Sequence, residues 1–219
     1  MTRFASQQGN SFLTDKTHDA IIFLKILSQK YDIAVANPPY TDNFDFGPEL
    51  KKYVEDNFKI PYKFHTNLYA TLLKRNFEFT NESGIIAMIH PNTFMFIKTF
   101  EGVRKYILEQ SRIDLLVDYG LDRVNLFGGD ILLDSNCWYV IDKNKTNRDG
   151  VYFNISTNQQ EKFKKESLNQ AVIDFINHDE NKRVITLNQN KFKFISGIPF
   201  IYWISDEFRE SLKDTQPKI

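Results

Sequence analysis

A short apolar run ends abruptly at two prolines: Tyr31-Asp32-Ile33-Ala34-Val35-Ala36-Asn37-Pro38-Pro39-Tyr40. Ile33 to Ala36 carries β-branched members and no polar side chain, and reads as a buried strand of a parallel sheet. Neither Pro38 nor Pro39 can donate to a ladder, so the strand must stop there. Pro38 also pushes Asn37 towards an extended conformation, and two fixed φ angles stiffen the turn. A stiff loop at the carboxyl end of a parallel strand lies where open α/β sheets place their ligands. This one stretch therefore selects a fold class and nominates Asn37, Pro38, Pro39 and Tyr40 as a site.

The residue types at the turn suit methylation of a planar exocyclic amine. The lone pair of such a nitrogen, adenine N6 for example, is delocalised into its ring and is a poor nucleophile. The Asn37 side-chain oxygen and the Pro38 carbonyl offer acceptors for both hydrogens. That would localise the lone pair and aim it at a sulfonium methyl by positioning and electrostatics. Tyr40 offers a face on which a flipped-out base can stack. No covalent nucleophile is needed, and no triad is evident. The plainer alternative is a stiff strand-to-loop turn with an exposed tyrosine, which requires neither the Asn nor the Tyr.

The 219 residues allow one sizeable domain and the start of another, and 20 Phe argue for a packed core. Lys+Arg 28 balance Asp+Glu 28, so bulk charge carries no nucleic-acid signature. The one cysteine, Cys137, excludes an internal disulfide and reads as a small core residue; no Cys/His cluster has metal-ligand spacing. With no signal peptide and no membrane-spanning apolar run, a cytoplasmic location is the default.

Along the chain, Asp15 or Thr17 is placed to cap a helix bearing Ile21, Ile22, Leu24, Ile26 and Leu27. Thr41 to Gly47 is a polar loop with Phe44 and Phe46 as lid or wedge candidates, or as ordinary packing. Pro48 opens a second helix, and residues 66–80 form a third, with Thr66 as its expected cap. Residues 84–89 and 113–119 are buried strands separated by a helix marked by Phe96, Phe100, Val103 and Ile107. This alternation predicts crossovers and a parallel sheet. Ile131 to Ile141 reads as a later strand, antiparallel in a hairpin. Beyond Gly150 the pattern predicts a strand over 151–155 and a charged helix or two over 159–176. Phe192 to Trp203 reads as an aromatic strand or a nucleic-acid surface.

Taken in order, residues 31–40, Asn67-Leu68-Tyr69-Ala70-Thr71-Leu72-Leu73, Gly84 to Pro91 and Phe100-Glu101-Gly102-Val103-Arg104 resemble the γ-type N6-adenine DNA methyltransferases. The likeness is greatest to the PglX-like enzymes of BREX phage-defence systems, then to Eco57I-type restriction–modification enzymes. It covers roughly residues 20–142. The resemblance implies a class I, Rossmann-like methyltransferase fold, with a mostly parallel sheet and a later antiparallel strand, and S-adenosylmethionine as cofactor. It makes Asn37, Pro38, Pro39 and Tyr40 the target-adenine site, and sets Asn67, Leu68 and Tyr69 beside the cofactor pocket. Phe127 becomes a second stacking aromatic, although a core residue before a strand is an equal reading. His90 is expected to make local hydrogen bonds.

Such enzymes carry a glycine-containing strand–loop–helix for the cofactor, then an acid for its ribose, upstream of the Asn-Pro-Pro-Tyr loop. The nine glycines here form no such motif. The chain is therefore expected to be a fragment. Residues 16–145 form the target-base half of the catalytic domain; 150–219 begin an α+β, target-recognition-like extension. Its expected partners are double-stranded DNA and other phage-defence subunits. The Ile33 strand would lie at an open edge, inviting self-association. Two further readings stand beside this one: a protein glutamine-N5 methyltransferase, and a non-catalytic nucleic-acid-binding scaffold.

Overall fold

The computed structural model describes residues 16–120, 135–156 and 161–213. Among them, six strands form a sheet in the order β1-β2-β4-β3-β5-β6. These are β1 Tyr31–Ala36, β2 Thr80–Pro91, β3 Arg112–Asp118, β4 Asn136–Asp142, β5 Gly150–Asn154 and β6 Val184–Leu187. Around them lie helices α1 (residues 16–28), α2 Pro48–Phe58, α3 Leu68–Phe79, α4 Glu101–Gln110, α5 Glu161–Asn177 and α6 Asp206–Lys213. β1, β2, β3 and β5 run in one direction; β4 is inserted antiparallel between β2 and β3, and β6 closes the far edge antiparallel. The α/β class, the shared direction of the first three strands and the late antiparallel strand match the sequence reading. The four like-directed strands bring Ala36, Pro91, Asp118 and Asn154 to one rim.

Local chemistry sets the boundaries. α2 begins at Pro48, where a missing N–H costs nothing. α3 is capped by Asn67 and not by Thr66: the Asn67 side chain accepts from Tyr69 N (3.1 Å), because Asn67 is the residue left extended (φ −150°) before the first turn. In β2, alternate residues Ile86, Met88 and His90 are buried on one face. That face carries the main core, which joins Val54, Leu73, Phe77, Ile107, Leu116 and Tyr139. A smaller core on the opposite face packs Val117, Phe153 and Ile155 against Ala171 of α5.

This second cover spans only the β3–β5 half. Ile33 and Val35, on the same face of β1, are 61% and 77% exposed, and the far edge of β1 pairs with no described strand. The apolar residues of α1, among them Ile21, Phe23 and Leu24, are likewise exposed. The periodicity that marks a buried helix face is present, but no described residue covers it.

Beyond Gly150 the chain extends the same sheet: β5 pairs parallel with β3, and β6 with β5. A single helix, α5, occupies the segment read as one or two. The aromatic stretch expected as a strand is not one. Asn188 caps a 3₁₀ turn over Gln189–Phe194, and the following backbone is bent by positive φ at Gly197 and Ile198 before Pro199. Its aromatics are still core: Phe192, Phe200 and Tyr202 are buried. Of the strand expected over 131–141, β4 begins at Asn136, and residues 131–134 lie outside those described.

Candidate functional site at the carboxyl rim of the sheet

β1 makes its last pairing at Ala36, opposite Met88, and the two prolines follow at once. Asn37 and Pro39 are exposed, Pro38 is buried and Tyr40 is half-buried. The Tyr40 hydroxyl donates to Asn37 Oδ1 at 3.0 Å, with Ile89 O at 3.4 Å as its alternative acceptor. With the hydroxyl donating to it, Oδ1 keeps one lone pair for a ligand. Burial, helped by the Cys137 thiol, pushes the Tyr40 phenol upward, so it remains a neutral donor at neutral pH.

The turn rests on an aromatic column. Tyr69, from α3, meets Tyr40 edge-on with ring centroids 6.5 Å apart. His90, from β2, stacks on Tyr69 at 4.3 Å and 13°. His90 Nδ1 lies 3.0 Å from Pro91 O, which can only accept, so Nδ1 carries the proton; Nε2 then accepts from the Tyr139 hydroxyl at 2.7 Å. Complete burial lowers the His90 pKa to about 4, keeping the imidazole neutral. Its role is local hydrogen bonding, as the sequence suggests, and it adds a stacked support for Tyr69.

The loop after Tyr40 is pinned to the start of α3. Asn67 Nδ2 donates to Asp42 Oδ1 (2.9 Å), Leu68 N to Thr41 O (2.9 Å) and Asn43 N to Thr66 O (3.2 Å). Both ends of the buried Asn67 amide are thus used within the protein. Asn67, Leu68 and Tyr69 lie beside the Asn37 turn, with Tyr69 buried and Leu68 half-buried. Of the two loop aromatics, Phe46 is packed and Phe44 is 88% exposed. Phe127 lies outside the described residues.

S-adenosylmethionine needs more than these residues supply. Among the described residues, no glycine-containing loop joins a strand to a helix ahead of Asn37. No His/Cys/Asp/Glu group among the described residues could hold a metal ion, and no helix among them is long and apolar enough to cross a membrane.

Two polar centres were not found from the sequence. Asp118, buried at the end of β3, accepts from Asn92 Nδ2 (2.8 Å) and Gly120 N (2.9 Å) at Oδ1, and from the Tyr202 hydroxyl (3.2 Å) at Oδ2. A carboxylate closing an apolar strand was the available signal, since buried acids are rare without partners. Arg104 is buried and donates to four carbonyls, Phe94 O, Ile97 O, Gly197 O and Ile198 O; desolvation lowers its pKa to about 10. It clasps the 197–203 segment against the rim.

The chain is similar to known proteins in sequence and in fold. The chain is 28% identical over 189 residues to the adenine-specific methyltransferase BrxX of Escherichia coli O9:H4 (strain HS), covering 85% of this chain and 14% of that protein. It is 27% identical over 190 residues to the adenine-specific methyltransferase PglX of Lacticaseibacillus casei (strain Zhang), covering 86% and 15% respectively. The chain thus spans about one-seventh of the length of these relatives. In fold it matches the DrdV–DNA complex with a TM-score of 0.58 at 16% identity, over 84% of this chain and 19% of that one. The profile of the Eco57I restriction-modification methylase matches residues 4–127, more than half of the sequence, and the chain belongs to that family.

Proposed function

We propose that the chain supplies the target-base half of a site-specific adenine-N6 DNA methyltransferase, in a BREX or restriction–modification setting. The observation that carries this reading is the exposed Asn37 at the end of β1, its oxygen held by the Tyr40 hydroxyl on a two-proline turn. Asn37 Oδ1 and the Pro38 carbonyl take the two N6 hydrogens of an extruded adenine, and the Tyr40 ring stacks on it. Pro39 keeps the turn rigid, and Tyr69 over His90 keeps Tyr40 from swinging inward. S-adenosylmethionine, when bound beside this turn and the Asn67–Tyr69 helix start, supplies an electrophilic methyl group. Relatives named as adenine-specific methyltransferases and a fold shared with the DrdV–DNA complex support the reading.

The test is methyl incorporation by the native gene product, wild type against Asn37→Ala, with tritiated S-adenosylmethionine. N6-methyladenine in DNA that disappears in the variant is the expected result. Label in protein glutamine instead would replace the reading with amide methylation. Absence of label in both would leave a nucleic-acid-binding scaffold.

A further inference from the structure

We infer that the rim carries a second nucleobase-binding site, separate from the Asn37 turn. A cavity of about 570 Å³ opens between the ends of β2, β3 and β5. Phe96 and Trp203 wall it, ring centroids 5.7 Å apart, and Asn92, Asp118 and Asn154 line its polar side. Trp203 is 44% exposed, whereas Asn92 and Asp118 are more than nine-tenths buried.

The polar lining is incomplete as it stands. Asn92 Nδ2 is committed to Asp118 Oδ1 and Gly120 O, which fixes its amide orientation, and leaves Asn92 Oδ1 buried without a partner. Such an acceptor normally finds a donor. Asp118 Oδ2 receives only the Tyr202 hydroxyl among the described residues and retains a lone pair. Asn154 Oδ1 accepts from Ser156 N and Oγ, which leaves its amide NH₂ as a donor. Among the described residues no Lys, Arg or His lines the cavity, and a carboxylate does, so a phosphate is disfavoured. Two acceptors, one donor and aromatic walls suit a neutral planar ring bearing an amino group beside a ring nitrogen: adenine or cytosine ahead of thymine.

Asp118 and Asn154 end strands three and four places from β1. At about 4.8 Å per strand the cavity stands about 14–19 Å from the Asn37 turn. At 3.4 Å per stacked nucleotide that is about four to six nucleotides along one DNA strand. A second unstacked base could therefore be held while the first occupies the turn; this placement within DNA, though not the site itself, rests on the function proposed above.

The test is ligand-observed saturation-transfer NMR on the 219-residue chain with adenosine, cytidine and thymidine. Adenosine and cytidine should show transfer at least fivefold stronger than thymidine. With cytidine as the probe, so that the adenine turn does not contribute, Trp203→Ala and Asn92→Leu should each reduce transfer at least fivefold, while Tyr40→Ala leaves it intact. Transfer abolished by Tyr40→Ala but untouched by Trp203→Ala would overturn the inference and leave the proposed function standing. Absence of transfer from every nucleoside would overturn it as well. A single-stranded oligonucleotide that displaces the nucleosides identifies a DNA base as the occupant; failure to displace identifies a free nucleoside.

Discussion

Two strands of this sheet end in nearly the same letters and in opposite environments. β1 runs into Asn37-Pro38-Pro39, and β2 ends as His90-Pro91-Asn92. At both, a proline removes a donor and stops the ladder. Asn37 is exposed and its side chain pairs with a neighbouring tyrosine in the same turn. Asn92 is buried, donates to Asp118 and Gly120, and receives backbone support from Ser135 O. The difference lies in position across the sheet. Among the described residues, β1 is an edge strand with one face uncovered, whereas β2 is flanked on both sides and overlain by 3₁₀ turns and the 197–203 segment. The same turn chemistry therefore leaves an accessible side chain at one end of the rim and a buried, hydrogen-bonded one at the other.

The sharpest way to break this contrast is to remove the buried acceptor. Asp118→Ala leaves Asn92 Nδ2, Gly120 N and the Tyr202 hydroxyl without their acceptor. It should cost about 3–5 kcal/mol, read as a shift of the urea midpoint. Asn37→Ala should change stability by less than about 0.5 kcal/mol, yet lower methyl transfer by the native gene product by about 10²-fold or more. Equal stability losses in the two variants would erase the distinction.

The aromatic column between the two ends offers a second handle. His90 is neutral in the fold, its pKa lowered from 6.5 to about 4 by burial. The unfolded chain therefore binds the proton first. Stability from this group is complete above about pH 6.5 and is lost as pH falls towards 4, by about 3 kcal/mol in all. Half-exposed His65 adds a smaller contribution of the same sign. Urea midpoints measured across that window should fall, and His90→Gln should flatten most of the dependence. A wild-type profile flat from pH 7 to 4.5 would contradict the buried, neutral imidazole.

The smallest effect concerns the uncovered half of the sheet. Ile33 and Val35 present an apolar face beside an edge that pairs with no described strand, the arrangement that invites association. Light scattering should show concentration-dependent oligomers of the chain, and Val35→Lys should shift them to monomer with little change in melting temperature. A wild-type chain monomeric at all concentrations would show that this face is not adhesive.

Much of the scaffold was legible in one dimension. Val35 and Ala36 against the prolines marked the end of β1, Pro48 the start of α2, and Gly120 the end of β3, because each signal acts within a few residues. The cap of α3 was misplaced by one position, since Thr66 and Asn67 are both good caps and only the backbone path decides between them. The aromatic stretch 192–203 defeated a period-2 reading for a different reason. Its conformation is imposed by Arg104, some ninety residues earlier in the chain, which binds Gly197 O and Ile198 O and holds them in a bend.

The sequence by itself determined where β1 and β3 stop and where α2 starts, and that the Asn37–Tyr40 turn is stiff, because backbone sterics and hydrogen-bonding capacity are local properties. Only the tertiary structure decided which asparagine faces solvent, which one is locked against Asp118, and that Tyr69 and His90 stack beneath Tyr40. Those outcomes depend on strand order and on which layers cover each face, and both are set by contacts between residues far apart in the chain.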